Sequence, residues 1–411
     1  MTSRTAHRSK ALGIAAIVAG LVVGGVVLGS SADVAQAHHN PGHGSGGGGS
    51  TPTATPPPAP LDGGTIYFRA NHLDGSNAHE LRRIAPDGTG NAAVAGITSG
   101  GGTRPSRRLH HGERWHVTLR EPDGVVGFFP GGPSGGRLWE LDLVRESDLL
   151  RVPLTDLAGA CIQIWGGEPG IRYDWTYDAT GQKDGAIGWL GARWEDLDAD
   201  GTCDQVAEGG VFRGAVSIDA SGNVSFAQPA APEVDVALSG TSTRAAEFTW
   251  APDGQRMAYV DSSGSDLWVV DALGNRQMIF NGRVFDVAWS PDLDPGTAGL
   301  QTKIAFTGAV SGRNGQDSER GTYTINPDGT GRLRLASAPL QKKSSDPFVV
   351  HFEAHWSPVG THLIYTERET SQSSPITIVE EVHRVTAGGT GDVVLVGTVA
   401  YRPVGLGWTV D

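Results

Sequence analysis

The most constraining feature of the sequence is a turn that follows a tryptophan and recurs along the chain. Three copies begin at Trp250, Trp289 and Trp356 and read Trp-Ala-Pro-Asp-Gly, Trp-Ser-Pro-Asp and Trp-Ser-Pro-Val-Gly. Proline presets φ in such a turn, aspartate bonds its own backbone, and glycine accepts a positive φ. A short apolar strand, such as Met257 to Val260, follows each copy. Each copy therefore predicts a β-hairpin.

A second hairpin follows within each repeat. The stretches from Leu267 to Asn275 and from Tyr323 to Thr330 each pass from an apolar strand into a turn rich in Asn, Asp and Gly. Two hairpins give a four-stranded antiparallel sheet that cannot bury both of its faces alone, so neighbouring sheets must stack on it. A ring of such sheets is a β-propeller, with the tryptophans between adjacent blades. We therefore predict an all-β fold.

The repeats can be counted. Clear units cover 240–282, 283–337 and 345–398, and degenerate units cover 104–155 and 190–228, the last with Trp194 leading its turn. The terminal segments 64–96 and 405–408 each hold only part of a unit and complete one another. We predict a six-bladed β-propeller of four-stranded antiparallel blades, closed by pairing of the N- and C-terminal segments. Residues 156–189 exceed what six blades need and leave a seventh blade open.

The first 62 residues have a different composition. Arg4, Arg8 and Lys10 precede an uninterrupted apolar run over 11–28, and Ala35-Gln36-Ala37 follows. Residues 1–37 are therefore predicted to be a signal peptide, or else a retained N-terminal membrane anchor, because the run is long enough to span a bilayer. Residues 38–62, rich in His, Gly, Ser and Pro, are expected to be a disordered linker, and the propeller then covers 63–411. Either alternative predicts an extracytoplasmic protein, secreted or tethered to the outer face of the cytoplasmic membrane.

The net charge indicates which partners are disfavoured, and the cysteines indicate whether a disulfide can form. The formal net charge is −13, which disfavours nucleic acid and anionic membrane surfaces, so membrane contact is expected only through the N-terminal segment. Cys161 and Cys203 are the two cysteines of the chain. In an oxidising compartment they predict either one disulfide or two small buried thiols. We expect a monomer.

The repeat resembles that of a known family. The pattern Trp-Ser/Ala-Pro-Asp-Gly, then a strand such as Ile304-Ala305-Phe306, then Asn-Pro-Asp-Gly-Thr-Gly at 326–331, is similar to the TolB-like (WD40-like) propeller repeat over residues 64–411. The resemblance implies the fold and little more, because similar propellers serve as periplasmic scaffolds, as recognition domains of peptidases and occasionally as enzymes. The chain lacks a sign of the separate N-terminal α/β domain of TolB proteins, so a role in a Tol-type envelope complex is not implied.

One acidic stretch resembles part of a calcium loop. Asp196, Asp198, Asp200 and Asp204 occupy its positions 1, 3, 5 and 9, with Gly201 at position 6. Alternating carboxylates around a glycine turn can converge on one calcium ion, which takes six to eight oxygen ligands. The bidentate acid of an EF-hand is missing at position 12, and Asp-Gly is also ordinary turn chemistry. The stretch is a candidate for a structural calcium ion.

A second candidate metal site precedes the third tryptophan turn. The period of two in a strand predicts His351, Glu353 and His355 on one face, where two imidazoles and a carboxylate can hold zinc or manganese. Glu353 also shares its position, three before the tryptophan, with Glu247 and Asp286. Such acids would concentrate negative potential near the central channel. The alternative is that all of them are solvated residues of the channel mouth.

These observations favour binding over catalysis. Gly132-Pro133-Ser134-Gly135-Gly136 has the letters of a nucleophile elbow without its strand-turn-helix context. We expect a binding scaffold for a protein, a peptide or an envelope polymer. The alternative is a metal-assisted lyase or hydrolase acting at the channel mouth through His351, Glu353 and His355.

Calcium binding by the acidic stretch can be tested with Asp198→Ala. If the four aspartates hold one structural ion, calcium raises the melting temperature of the wild type, and the variant loses both the bound ion and that increase. The measurement is calcium content and thermal unfolding with and without a chelator. A wild-type melting temperature that does not respond to calcium would contradict the prediction.

Overall fold

The computed structural model describes most of the predicted propeller. It describes residues 63–410, except for 73–78, 98–102, 121–139, 155–161, 165–172, 196–204, 228, 230, 236–246, 262–265, 292–301, 312–316, 344, 373–376 and 398–400. Cys161, Cys203 and the predicted signal and linker segments lie outside the described residues, so those predictions stay open.

Six antiparallel sheets form a six-bladed β-propeller, as the repeats predicted. Blade 1 contains β1 (Thr65–His72), β2 (His79–Ile84) and β3 (Ala92–Ala93). Blade 2 contains β4 (Thr103–Pro105), β5 (Trp115–Arg120), β6 (Glu140–Arg145) and β7 (Arg151–Pro153). Blade 3 contains β8 (Ile162–Ile164), β9 (Tyr173–Thr176), β10 (Ala186–Glu195), β11 (Gln205–Ile218), β12 (Val224–Ala227) and β13 (Val234–Asp235).

The second half of the chain holds the three regular repeats. Blade 4 contains β14 (Phe248–Trp250), β15 (Arg256–Val260), β16 (Leu267–Asp271) and β17 (Arg276–Phe280). Blade 5 contains β18 (Arg283–Trp289), β19 (Ile304–Ser311), β20 (Asp317–Ile325) and β21 (Leu333–Ala338). Blade 6 contains β22 (Phe348–Trp356), β23 (His362–Thr370), β24 (Ile378–Thr386) and β25 (Val393–Val396), and the last strand, β26 (Tyr401–Thr409), returns to blade 1.

The two ends of the propeller share one sheet. Blade 1 has the strand order β26-β1-β2-β3, with Ile66 directly opposite Trp408. Trp408 is 3% exposed, and its indole Nε1 donates a hydrogen bond to the carbonyl oxygen of Gly63 at 3.2 Å. Ile66 and Trp408 belong to one buried apolar cluster with Ile364 and Val382 of blade 6. The predicted closure is therefore confirmed.

The leading tryptophans join neighbouring blades. Trp356 of blade 6 donates from Nε1 to the carbonyl oxygen of Ala288 in blade 5 at 3.0 Å, and both lie in one buried cluster. Trp289 of blade 5 packs in a cluster that includes Ala251 and Val260 of blade 4. Burying a large apolar ring while bonding its single N–H is how an indole contributes most to a core. The tryptophan of each repeat thus stabilises a blade interface.

Blade 3 differs from the repeat unit predicted for it, which was led by Trp194. Its inner strand is β9, and its leading tryptophan is Trp175, whose Nε1 donates to the carbonyl oxygen of Arg104 in blade 2 at 3.1 Å. Trp194 instead lies in β10, the second strand. β10 is long enough to pair with β9 along one half and with β8 along the other. The segment 156–189 therefore supplies strands to blade 3, and the alternative of a seventh blade is wrong.

Ring closure can be tested with Trp408→Ala. Removing the indole leaves a cavity between blades 1 and 6, so we expect the free energy of unfolding to fall by about 3–5 kcal/mol. Trp408→Phe is the matched control: it keeps a ring but loses the bond to Gly63, and should cost only about 1–2 kcal/mol. Denaturant unfolding measures both. Equal losses for the two variants would argue against packing as the source of the closure.

Candidate functional site

The inner strands line a central channel, and a small cavity lies in its mouth. This mouth is at the end of the ring formed by the turns after the inner strands, such as 251–254 and 357–360, which we call the Trp-turn end. The cavity has a volume of about 70 Å³ and its lining includes Arg104, Glu247, Asp286 and His355. That volume holds a few water molecules or the tip of one side chain, whereas small-molecule pockets usually measure about 300–1,000 Å³.

The acids that precede the leading tryptophans connect one blade to the next. An Asp286 oxygen accepts a hydrogen bond from the backbone N–H of Ala354 at 2.6 Å, and a Glu353 oxygen accepts one from the N–H of Leu406 at 3.1 Å. Ala354 directly follows Glu353, and Leu406 follows Gly405, which occupies the same repeat position. The acid of blade 5 thus holds blade 6, and the acid of blade 6 holds blade 1.

β-Bulges make these bonds available. The pairing register shifts between Val284 and Asp286 in blade 5 and between Phe352 and His355 in blade 6. A bulge leaves one residue outside the ladder, so a backbone N–H that would bond within its own sheet can reach a neighbouring blade. Glu353 sits in the second bulge with φ of 47°.

Arg104 supplies the countercharge. It is 7% exposed on the inner strand of blade 2, and its Nη1 donates to the carbonyl oxygen of Leu406 at 2.6 Å and lies 3.4 Å from Nε2 of His355. Burial alone would lower the pKa of Arg104, but the carboxylates of Glu353, Asp174 and Asp286 raise it above its ordinary value. The expected concentration of negative charge in the channel is therefore offset by a buried cation.

Asp286 and His355 at the cavity also have shifted pKa values. Burial and the nearby Glu353 raise the pKa of Asp286 to about 7, against the opposing effect of Arg104. Burial, Arg104 and Arg107 hold the pKa of His355 well below its ordinary value, so its imidazole is neutral at pH 7. The mouth therefore holds a carboxyl able to exchange a proton near neutral pH beside a neutral imidazole.

The structure separates the histidines and the glutamate that the sequence placed together. The bulge between Phe352 and His355 breaks the strand's period of two. Glu353 and His355 lie beside Arg104 in the channel, whereas His351 bonds Glu367 through Nε2 and Thr322 through Nδ1, each at 2.9 Å. Within the described residues, the group of side chains close enough to share a metal ion consists of Glu367, Glu381 and His383.

The chain of Thr322, His351 and Glu367 has the residue types of a nucleophile triad. Thr322 is 0% exposed, however, and lies between blades 5 and 6. No substrate reaches a hydroxyl in that position, so these bonds connect two blades.

The calcium candidate falls outside the described residues. Asp196, Asp198, Asp200 and Asp204 lie between β10 and β11, which is the connection between the second and third strands of blade 3. Calcium binding there stays a prediction. The elbow-like segment 132–136 is also outside the described residues.

Sequence reasoning missed the basic side of the mouth. Arg107 pairs with Asp174 at 3.0 Å, and Lys183 also lines the cavity. These residues come from blades 2 and 3. The repeats there are degenerate, so comparison of the repeat units did not identify them. The Arg104-Pro105 pair was the available signal, since Pro105 occupies the repeat position of the tryptophan and pairs accordingly with His116.

Comparisons with known proteins concern the fold. The sequence matches no protein-family model and no curated protein. Similar solved structures include a protein assigned as TolB from Agrobacterium tumefaciens, with 10% identity, coverage of 84% of this chain and 91% of that chain, and a TM-score of 0.39. The periplasmic gluconolactonase PpgL of Pseudomonas aeruginosa has 10% identity, coverage of 84% and 99%, and a TM-score of 0.43. A puromycin hydrolase has 14% identity, coverage of 85% and 48%, and a TM-score of 0.36.

Similarities at these levels transfer no activity to this chain. The six-bladed propeller rests on the strand order itself. In the part of the chain that the structure describes, no helix has the length and apolar character needed to cross a bilayer.

The raised pKa of Asp286 predicts a pH-dependent stability. Between about pH 4 and pH 7 the unfolded chain releases this proton while the folded chain keeps it, so the folded state loses stability as pH rises through that range. Asp286→Asn cannot ionise and should not show this loss. Each pKa unit corresponds to about 1.4 kcal/mol, and water reduces the effect at a partly exposed carboxyl, so we expect the variant to gain about 2 kcal/mol on the wild type between pH 4 and pH 8. Denaturant unfolding at both pH values measures the gain, and a difference that does not change with pH would contradict it.

Proposed function

We propose that the protein is an exported propeller that binds a partner at the Trp-turn end of the ring, and that this partner is a protein, a peptide or an envelope polymer. The organisation of the channel supports this proposal. The acids of blades 5 and 6 are used to join blades, and a cavity of about 70 Å³ is smaller than the pockets that usually enclose a small-molecule ligand. A mouth of this kind is better suited to binding a partner on the surface of the Trp-turn end than to enclosing a ligand inside the channel.

One observation at the rim carries the proposal. Lys183 lines the cavity, and among the described residues its ammonium has no hydrogen-bond or ion-pair partner. Burial and the nearby Arg107 and Arg108 lower its pKa, although Asp184 opposes them. An anionic group from outside would pair with this cation and offset the cost of its partial burial.

The cavity lining also contains acids. Glu247 and Asp286 of blades 4 and 5 line it together with Arg107 and Lys183 of blades 2 and 3. A lining that carries both signs of charge favours a ligand that also carries both. A peptide segment with an acidic group directed at Lys183 fits this arrangement, and among the three partner classes the geometry supports it best.

A second candidate function is catalysis at the same mouth. Asp286, with a pKa of about 7, and the neutral His355 both line the cavity. A carboxyl that exchanges protons near neutral pH is suited to general acid–base catalysis in a hydrolase or lyase. The metal-assisted form of this idea lacks its predicted ligand set, since His351 lies in the interface between blades 5 and 6.

Charge reversal at the rim tests the binding proposal. Lys183→Glu should weaken capture of an acidic peptide or protein from the extracellular fraction by at least about tenfold, because it replaces the attracting cation by a like charge. Lys343→Glu is the matched control, since Lys343 is exposed in the loop before β22, at the opposite end of the ring. Binding is measured with the full-length chain by titration of each captured partner.

The outcomes separate the two candidate functions. Equal binding by both variants would refute the Trp-turn end as the binding surface. Under the catalytic alternative, Asp286→Asn abolishes turnover of a substrate while partner capture is unchanged. Under the scaffold proposal, that variant still binds and no turnover is lost.

A further inference from the structure

We propose that Glu367, Glu381 and His383 form a binding site for one divalent transition-metal ion of the zinc type, on blade 6 and apart from the channel. None of these three residues belongs to the sets that the sequence singled out. The site needs neither the proposed partner nor a substrate in the channel mouth.

The strand register brings the three ligands together. Glu367 on β23 lies directly opposite Glu381 on β24, and His383 follows two residues later on the same face. One ligand atom from each lies within 4.8 Å of the others, and Nε2 of His383 is 3.4 Å from an oxygen of Glu381. Two ligands bound to a tetrahedral zinc ion at about 2.0–2.1 Å are about 3.4 Å apart. The separation of His383 and Glu381 therefore allows both to bind one ion, and without an ion the two form an ion pair.

His383 presents a buried ring nitrogen to the glutamates. The residue is 8% exposed, and its buried Nε2 lies at ion-pair distance, 3.4 Å, from an oxygen of Glu381. Its Nδ1 lies 3.3 Å from an oxygen of Asp392, whose other oxygen accepts a hydrogen bond from the Tyr365 hydroxyl at 2.8 Å. A carboxylate on one ring nitrogen is the usual support of a histidine that binds metal through the other nitrogen.

Glu367 is held in place in the same way. Nε2 of His351 lies 2.9 Å from one of its oxygens, and Nδ1 of His351 lies 2.9 Å from the Thr322 hydroxyl. The imidazoles of His351 and His383 each stack on the ring of Tyr365, with centroid distances of 4.6 and 5.0 Å. Hydrogen bonding therefore holds Glu367 in place, and stacking on Tyr365 orients both His351 and His383 before any ion binds.

Charge and access also suit a cation. The side chains of Glu367 and Glu381 are 25% and 33% exposed, so an ion can reach them from solvent. Among the described residues, no lysine or arginine forms an ion pair with either glutamate. With Asp392, three carboxylates surround a histidine. An imidazole with two carboxylates favours zinc over magnesium or calcium and leaves a coordination position for water.

Zinc binding by the full-length chain tests the proposal. After treatment with a chelator, the protein is titrated with Zn²⁺, and in parallel with Co²⁺, whose visible absorption reports tetrahedral coordination. His383→Ala and Glu381→Gln should each weaken the tight site by at least about 100-fold, and Asp392→Asn by about 10–100-fold. Glu369→Gln is the matched control, because it removes the same charge from an exposed position two residues along the same strand face.

Comparison among variants decides the result. His38, His39 and His43 can bind zinc by themselves, and that background is equal in every variant. A cobalt spectrum and a tight zinc site in the wild type and in Glu369→Gln, lost in His383→Ala and Glu381→Gln, would support the site. Zinc affinities equal in all variants, or a wild type that binds no more tightly than His383→Ala, would overturn it. Glu381→Gln keeps the shape of a partly exposed side chain, so a folding defect in His383→Ala leaves the test decisive.

Discussion

The structure depends on one constraint: each four-stranded sheet has two apolar faces, and only other sheets of the same chain are there to cover them. Burying those faces is worth about 25 cal/mol per Å² of apolar surface, which no single blade can obtain alone. The first and last sheets would still be left with bare faces. Pairing of β26 with β1 removes that problem, because it turns a row of sheets into a ring.

The same constraint explains the chemistry of the channel. Backbone and side chains of six inner strands converge there, and their polar groups need partners away from bulk water. Asp286 and Glu353 accept hydrogen bonds from bulged backbone in the following blade, and Arg104 balances their charge where blade 2 meets blade 1. The shifted pKa values of Asp286 and His355 therefore arise from the way the blades are joined. The same shifts make these two side chains the candidates for proton exchange at the mouth.

The regular repeats could be predicted because their signals are local. Turn residues and strand alternation lie within about ten residues of one another, so blades 4 to 6 and the closure at Trp408 followed from sequence. Blade 3 was misplaced because Trp175 and Trp194 look alike, while only Trp175 lies in an inner strand. The grouping of His351, Glu353 and His355 failed because a bulge changes the face of every later residue, and the sequence does not mark it. The group of Glu367, Glu381 and His383 was missed because it forms across two paired strands, and the sequence alone does not show which residues of the two strands lie opposite each other.

The pairing of Ile66 with Trp408 also has a consequence for how the molecule is made. Five blades are built from segments that follow one another and can assemble as they leave the ribosome. Blade 1 is complete only when the nine-residue β26 has been made, because β26 pairs with β1, more than 300 residues earlier in the chain. Contacts between such distant segments form slowly. During synthesis the blades form an arc with two uncovered ends until β26 pairs with β1 and closes the ring.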